Sequence, residues 1–485
     1  MNVKLRSLVA ATLAGSFMLG FGANAVADST DDIVNALIAK GVLTEEEGAL
    51  LQKGRAGEKE AAEKKKASEV KASFKDGIKW ESGDKANSMS INGRIQLDYR
   101  NYDTQGGTAA NDKTADTFDV RRAYLGAKGT FNKYYDWEVT ADFAGLTGAS
   151  ATDATAAGKN TTSLDVAYMN IHWWDQVQFQ FGQFKMPFSL EERTSSRFID
   201  FQERSFVNNT SLTPGKERGI MIHGTPFKGV NYALAFSTGQ GKNTNESDQR
   251  EDSNDTILHA DVNLAEIMDI KDSVIHIGAS YANGDLPVSK PGAQRTEARG
   301  VEFFAANDNF AGTEMERTRE GFETALTYGP VKFQGEYSKA NFENKGGTTK
   351  YDVDMDAYYA EVLWLVTGES YADSYKKGKF DRIKPKNDFD PEFKGGLGAF
   401  EIGARFSNFD ASDFKLTNAA GTGKLKSGTT NGADSWTVGL KWMPTANSRF
   451  LLNYVKTDFD QEVTYNTGKA SKDDKALMFR AQYDF

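Results

Sequence analysis

Charged side chains recur at every second position inside long, aromatic-rich segments, and this pattern constrains the fold more than any other feature of the chain. In "SINGRIQLDYR" (90–100), Ile91, Gly93, Ile95, Leu97 and Tyr99 share one parity, and Asn92, Arg94, Gln96, Asp98 and Arg100 share the other. "YDWEVTADF", "VKFQGEY", "AFEIGARF", "WTVGLKW" and the terminal "ALMFRAQYDF" repeat the scheme. Alternation of period two is the signature of a strand whose two faces meet different surroundings. A soluble sandwich turns its aromatic face inward and keeps its strands short. Segments of about ten residues, with Arg, Lys, Asp and Glu on one face and aromatics on the other, fit a transmembrane barrel that faces lipid outside and water inside. The expected class is therefore an all-β, antiparallel transmembrane barrel.

The connections agree. Short turns at 131–133, near 174, at 225–229, 329–330 and 444–448 alternate with long polar loops at 103–117, 145–163, 188–217, 239–255, 283–318, 341–351, 408–434 and 459–473. That alternation counts about sixteen strands, an even number that leaves both ends on the periplasmic side. One connection, 368–397, falls where a short periplasmic turn belongs and is long. Beyond the first residues no apolar run reaches 18, which excludes a helical membrane protein. The absence of cysteine excludes disulfides and thiolate chemistry. A net charge of −10 with no long basic block argues against nucleic acid as a partner.

Residues 1–27 carry Lys4 and Arg6, an apolar stretch and Ala25-Val26-Ala27, the layout of a secretory signal. Residues 28–72 differ from all that follows and are expected as a helical, charged periplasmic extension, with the barrel occupying 73–485. Two helices are predicted at its start. Asp31 or Asp32 caps the first, Gly41 ends it, and Thr44 with Glu47 forms a capping box for the second.

"RRAYLGAKG" (121–129), "GQFKMPFSLEERTSS" (182–196), "WLVTGESY" (364–371) and "GGLGAFEIGARFS" (395–407) closely resemble the phosphate-selective porin O/P family of Gram-negative outer membranes. The match runs in order from about residue 88 to Phe485 and includes the unusual 368–397 connection. The resemblance implies a sixteen-stranded homotrimer in the outer membrane that passes small anions such as phosphate, with no cofactor. It implies that the segment after "GQFKMPF" folds into the lumen and sets the constriction. It also makes Phe485 the residue read by the barrel assembly machinery. Arg121 and Arg122 match the family's paired arginines, and Lys185 its "GQFK" lysine, which makes these three the candidate anion-binding constriction. Arg94, Arg100, Lys128 and Arg405 are candidate pore-lining cations on the polar face.

Two considerations weigh against this assignment. Adjacent Arg121 and Arg122 cannot both face the lumen from a regular strand, and the cations have an alternative role, pairing with Asp119, Asp165 or Glu191 to hold the wall. Acidic residues at Asp98, Asp136, Glu138, Asp142, Glu336 and Glu401 share the same face, so a general or weakly cation-selective pore is the second reading. Two readings of another class are a barrel enzyme and an envelope tether. None of the four histidines, His172, His223, His259 and His276, sits in an H-E-x-x-H spacing or beside a nucleophile elbow. The tether reading rests on the extension alone.

Overall fold

The computed structural model describes residues 29–74, 77–103, 116–144, 162–209, 212–242, 254–286, 290–307, 314–345, 351–415, 424–465 and 468–485. The expected signal segment lies outside them, as does most of the predicted loops 103–117, 145–163 and 239–255. Two compact units are present.

The smaller unit holds helices α1 (Ser29–Ala39) and α2 (Glu45–Ser68). Gly41 turns the chain with φ +68°, a left-handed value that glycine takes without strain. Thr44 and Glu47 form the predicted capping box, each side chain bonding the other's backbone N–H. Helix α1 begins at Ser29, so Asp31 and Asp32 lie inside its first turn instead of capping it.

The larger unit is an antiparallel barrel. Short strands Val70–Ser73 and Ile78–Ser82 lead in, and sixteen strands then close a ring. In chain order these are β1 (Ser88–Tyr102), β2 (Thr117–Phe131), β3 (Tyr135–Asp142), β4 (Ser163–Ile171), β5 (Gln178–Lys185), β6 (Lys216–Phe227), β7 (Val230–Ser237) and β8 (Asp255–Asn263). The second half is β9 (Ser273–Leu286), β10 (Glu314–Tyr328), β11 (Val331–Lys345), β12 (Asp352–Leu365), β13 (Ala399–Asp410), β14 (Gly432–Thr445), β15 (Ser448–Thr464) and β16 (Ala470–Asp484). Each pairs with its neighbour in sequence, and β16 pairs with β1.

That closure is fixed by side chains as well as backbone. Arg480 of β16 reaches Asp98 of β1 through two bonds of 2.6 and 2.8 Å. The backbone of Phe485 exchanges hydrogen bonds with Gly93 at 2.9 and 3.1 Å. A Cβ on Gly93 would lie 2.5 Å from the Phe485 ring, so a side chain there would push the ring from its seat. The C-terminal aromatic is thus built into the seam.

Side-chain parity follows the sequence pattern. Ile95, Leu97, Leu125, Phe236, Phe322, Trp436, Leu440 and Phe479 are exposed on the outer face. Arg94, Gln96, Asp98, Glu323, Glu336, Arg405 and Arg480 are buried on the inner one. Among the described residues no helix is long and apolar enough to cross a membrane; the strands cross instead.

Candidate functional site

The barrel interior is occupied by three inward-folded segments. The first, described over 186–209 and 212–215 between β5 and β6, bonds to strands right round the ring, which is possible only for a loop lying across the lumen. Arg94 on β1 donates to Ser196 Oγ (3.0 Å), Arg193 reaches Asp261 on β8 (3.1 Å) and Glu323 on β10 (2.6 Å), and Lys332 on β11 pairs with Asp200 (2.6 Å). The Gln202 N–H donates to Asn453 on β15 (2.7 Å), and Arg405 on β13 pairs with Glu191 (3.3 Å).

The second segment, described over 290–307, enters from the same end. Its Glu297 accepts from Arg405 (2.7 Å) and from the Phe206 N–H (3.0 Å), and Phe303 and Phe304 pack with Phe206, Phe409 and Phe459. The third is the long periplasmic connection 366–398. Tyr371 donates to Glu401 (2.9 Å), Arg382 grips Asp484 with two bonds (3.0 and 3.1 Å), and Tyr371 and Phe380 pack with Leu190 and Phe201 of the first loop. Its length, anomalous for a periplasmic turn, is explained by this insertion. Below the first loop lies a cavity of about 1110 Å³, lined by seven basic residues (Lys128, Arg197, Lys271, Lys376, Arg382, Lys384, Lys386) and four acidic ones.

Arg121 and Arg122 both face inward. The register pairs Gln96 with Arg122 and Leu97 with Val120, so Arg121 is the extra residue of a β-bulge. The irregularity removes the objection that adjacent arginines must point to opposite faces. Arg121 binds Glu203 of the first loop through Nε (2.9 Å) and Nη2 (3.3 Å), whereas Arg122 donates to Gln96 Oε1 at 2.9 Å. Arg100 spans Asp98 (2.6 Å) and Glu203 (3.1 Å), and Arg480 bonds the same two carboxylates.

Lys185 turns away from this group. Its ammonium donates to the Thr194 carbonyl (2.9 Å) and the Glu192 carbonyl, tying down its own loop. Lys128 is exposed in the periplasmic cavity. Arg405 is shared between Glu191 and Glu297 and lies over the Phe201 ring. Arg94 stacks on Tyr124, its guanidinium carbon 4.3 Å from the ring centre. Of the acids expected to pair with these cations, Glu191 takes Arg405, while Asp165 takes Lys216 and Lys242.

Glu203, Arg299, Arg480 and Arg449 complete the site; the alternation of the last strand marks Arg480 as a polar-face cation, and nothing in the sequence pattern singles out the other three. Glu203 is the node. Burial opposes its ionisation, but Arg121, Arg480, Arg299 and Arg122 outweigh that and hold its carboxyl well below the usual carboxylate range. Arg299, from the second segment, is pulled down to about 10, first by the charge of Arg121 and then by burial. Among the described residues five guanidiniums (Arg100, Arg121, Arg122, Arg299, Arg480) thus gather around two carboxylates, Asp98 and Glu203, and three of them, Arg100, Arg121 and Arg480, bond to one or both. Nearby, Arg449 lies over the Phe198 ring, and its Nε and Nη2 find no partner among the described residues. The excess of buried positive charge is the chemical character of the site. It suits an oxyanion, which a guanidinium fork can hold through paired N–H donors.

Residues 89–485 match the family model described as "Phosphate-selective porin O and P". Porin O of Pseudomonas aeruginosa is 26% identical over 432 residues, covering 85% of this chain and 91% of that protein. Among solved structures, the anion-selective porin from Comamonas acidovorans aligns over 82% of this chain and 100% of its own, with a TM-score of 0.48 and 11% identity. The outer membrane channel DcaP of Acinetobacter baumannii aligns over 82% and 98%, with a TM-score of 0.46 and 12% identity.

Proposed function

The chain belongs to the family of phosphate-selective porins O and P, channels of the Gram-negative outer membrane, and from that premise we propose that it conducts small anions, phosphate among them, past an arginine-rich constriction. The observation that carries this reading is the five-to-two imbalance of guanidinium over carboxylate around Glu203. In a space where loops exclude bulk water, unbalanced charge is weakly screened and lowers the barrier for counter-ions. Among the described residues Arg122 and Arg94 carry no carboxylate partner in the first hydrogen-bond shell, so they are the groups we assign to the passing anion; Arg121, Arg100 and Arg480 set the field and hold the loop. Lys185 acts here as a clamp on the loop backbone.

The same reading makes the chain a passive channel that catalyses no reaction and assembles as a homotrimer, with 1–27 as export signal, 28–72 as periplasmic extension and Phe485 presented to the assembly machinery. A weaker selectivity is favoured by one observation: elsewhere in the lumen cations are neutralised one for one, Lys441 by Glu401 and Lys332 by Asp200. Chloride current through the purified protein, measured while phosphate is added, separates the two. A phosphate-binding constriction gives current that falls saturably with phosphate, and a general pore gives none of that block.

A further inference from the structure

Two of the four histidines, His259 and His276, lie together on the inner wall opposite the arginine cluster and take no part in it. His259 Nε2 is 3.0 Å from Asp261 Oδ2 and 3.7 Å from Glu323 Oε1, and His276 Nε2 is 2.9 Å from Glu323 Oε1. All four side chains are buried. Each imidazole is fixed by a hydroxyl on its other nitrogen, His259 Nδ1 by Ser280 Oγ (2.9 Å) and His276 Nδ1 by Tyr375 (2.6 Å). The two carboxylates are bridged by one cation, the Arg193 guanidinium, at 3.1 and 2.6 Å.

We propose that His259, Asp261 and Glu323 form a binding site for a divalent transition metal of the zinc type, for which the Arg193 guanidinium is the competing cation. Bonds of about 2.0–2.1 Å to imidazole and carboxylate place tetrahedral ligand atoms about 3.3 Å apart; the two nitrogen–oxygen separations already bracket that value. Ligand chemistry favours zinc or copper over magnesium, because imidazole suits the former and all-oxygen octahedra the latter. The hydroxyl on the far nitrogen is the outer-sphere support that ligating histidines use. Binding needs a bare His259 Nε2, so the ring proton moves to Nδ1 and donates to Ser280 Oγ. His276 stays behind Glu323 and orients it.

The position gives the site a consequence. Arg193 belongs to the first inward loop and Tyr375 to the periplasmic insertion, whose Gly378 lies so close that a Cβ would be 2.4 Å from Asp261 Oδ2. A metal here displaces the loop's anchor from the wall.

The test is calorimetric titration of tag-free, detergent-purified protein with ZnCl2, and separately with MgCl2. One zinc per chain and no magnesium uptake are expected. His259→Ala and Glu323→Gln each weaken zinc binding at least tenfold, whereas His172→Ala and His223→Ala leave it unchanged. Arg193→Gln removes the competitor and tightens binding, a gain that a misfolded variant cannot mimic. No zinc uptake, unchanged affinity in His259→Ala and Glu323→Gln, or a looser site in Arg193→Gln would each overturn the proposal.

Discussion

Arg122 and Arg121 are neighbours in sequence with different employment, and the difference predicts different phenotypes. Among the described residues Arg122 bonds only an amide oxygen, so Arg122→Glu inserts an anion where the proposed constriction draws a passing one. Two unit charges about 4 Å apart interact by roughly 4 kcal/mol at an effective dielectric near 20, and about 1.4 kcal/mol is already a tenfold change in relative permeability. Arg122→Glu is therefore expected to shift the reversal potential toward cations, by more than an exposed control such as Lys394→Glu; equal shifts would place the constriction elsewhere. Lys242 is a poorer control because its partner Asp165 is buried, whereas Lys394 and its partner Glu392 both lie in solvent. Glu203 makes a pH prediction. Its folded-state pKa lies well below the usual glutamate value, so its contribution to loop order is complete above about pH 4.3 and is lost only as pH falls toward the depressed value. Conductance should stay flat from pH 8 to 5 and become noisy below about 4. A transition near neutrality would mean that another group governs the loop.

At the scale of elements, the strands were legible because lipid and water impose opposite chemistry on alternate residues. Every segment quoted for its alternation lies within a barrel strand or forms its close. The bulge at Arg121 was not legible, since one extra residue leaves the sequence pattern nearly intact while changing which face a side chain takes. Nor was the partnership of Glu203 with three arginines, which depends on contacts from β1, β2 and β16 that only closure brings together. The seam gives the element-scale prediction. Gly93→Leu cannot accommodate the Phe485 ring, and deletion of Phe485 removes both backbone bonds to Gly93. Both variants should yield much less folded, heat-modifiable protein in outer-membrane fractions. Wild-type amounts from Gly93→Leu would show that the ring's seat is dispensable.

For the whole molecule, the selectivity question was left open by a net charge of −10, and it is decided locally. Most lumenal cations meet an acid, and the long-range field of the chain is screened within about 8 Å at physiological salt. What remains unscreened is the arginine excess where the first loop, the second loop and strands β1, β2 and β16 converge. The most direct measurement is the reversal potential of the purified, membrane-reconstituted protein in a potassium chloride gradient. An arginine-governed constriction predicts a potential displaced toward the chloride equilibrium value, and that displacement shrinks in Arg122→Glu. A potential at zero or toward potassium in the unmodified protein would contradict it.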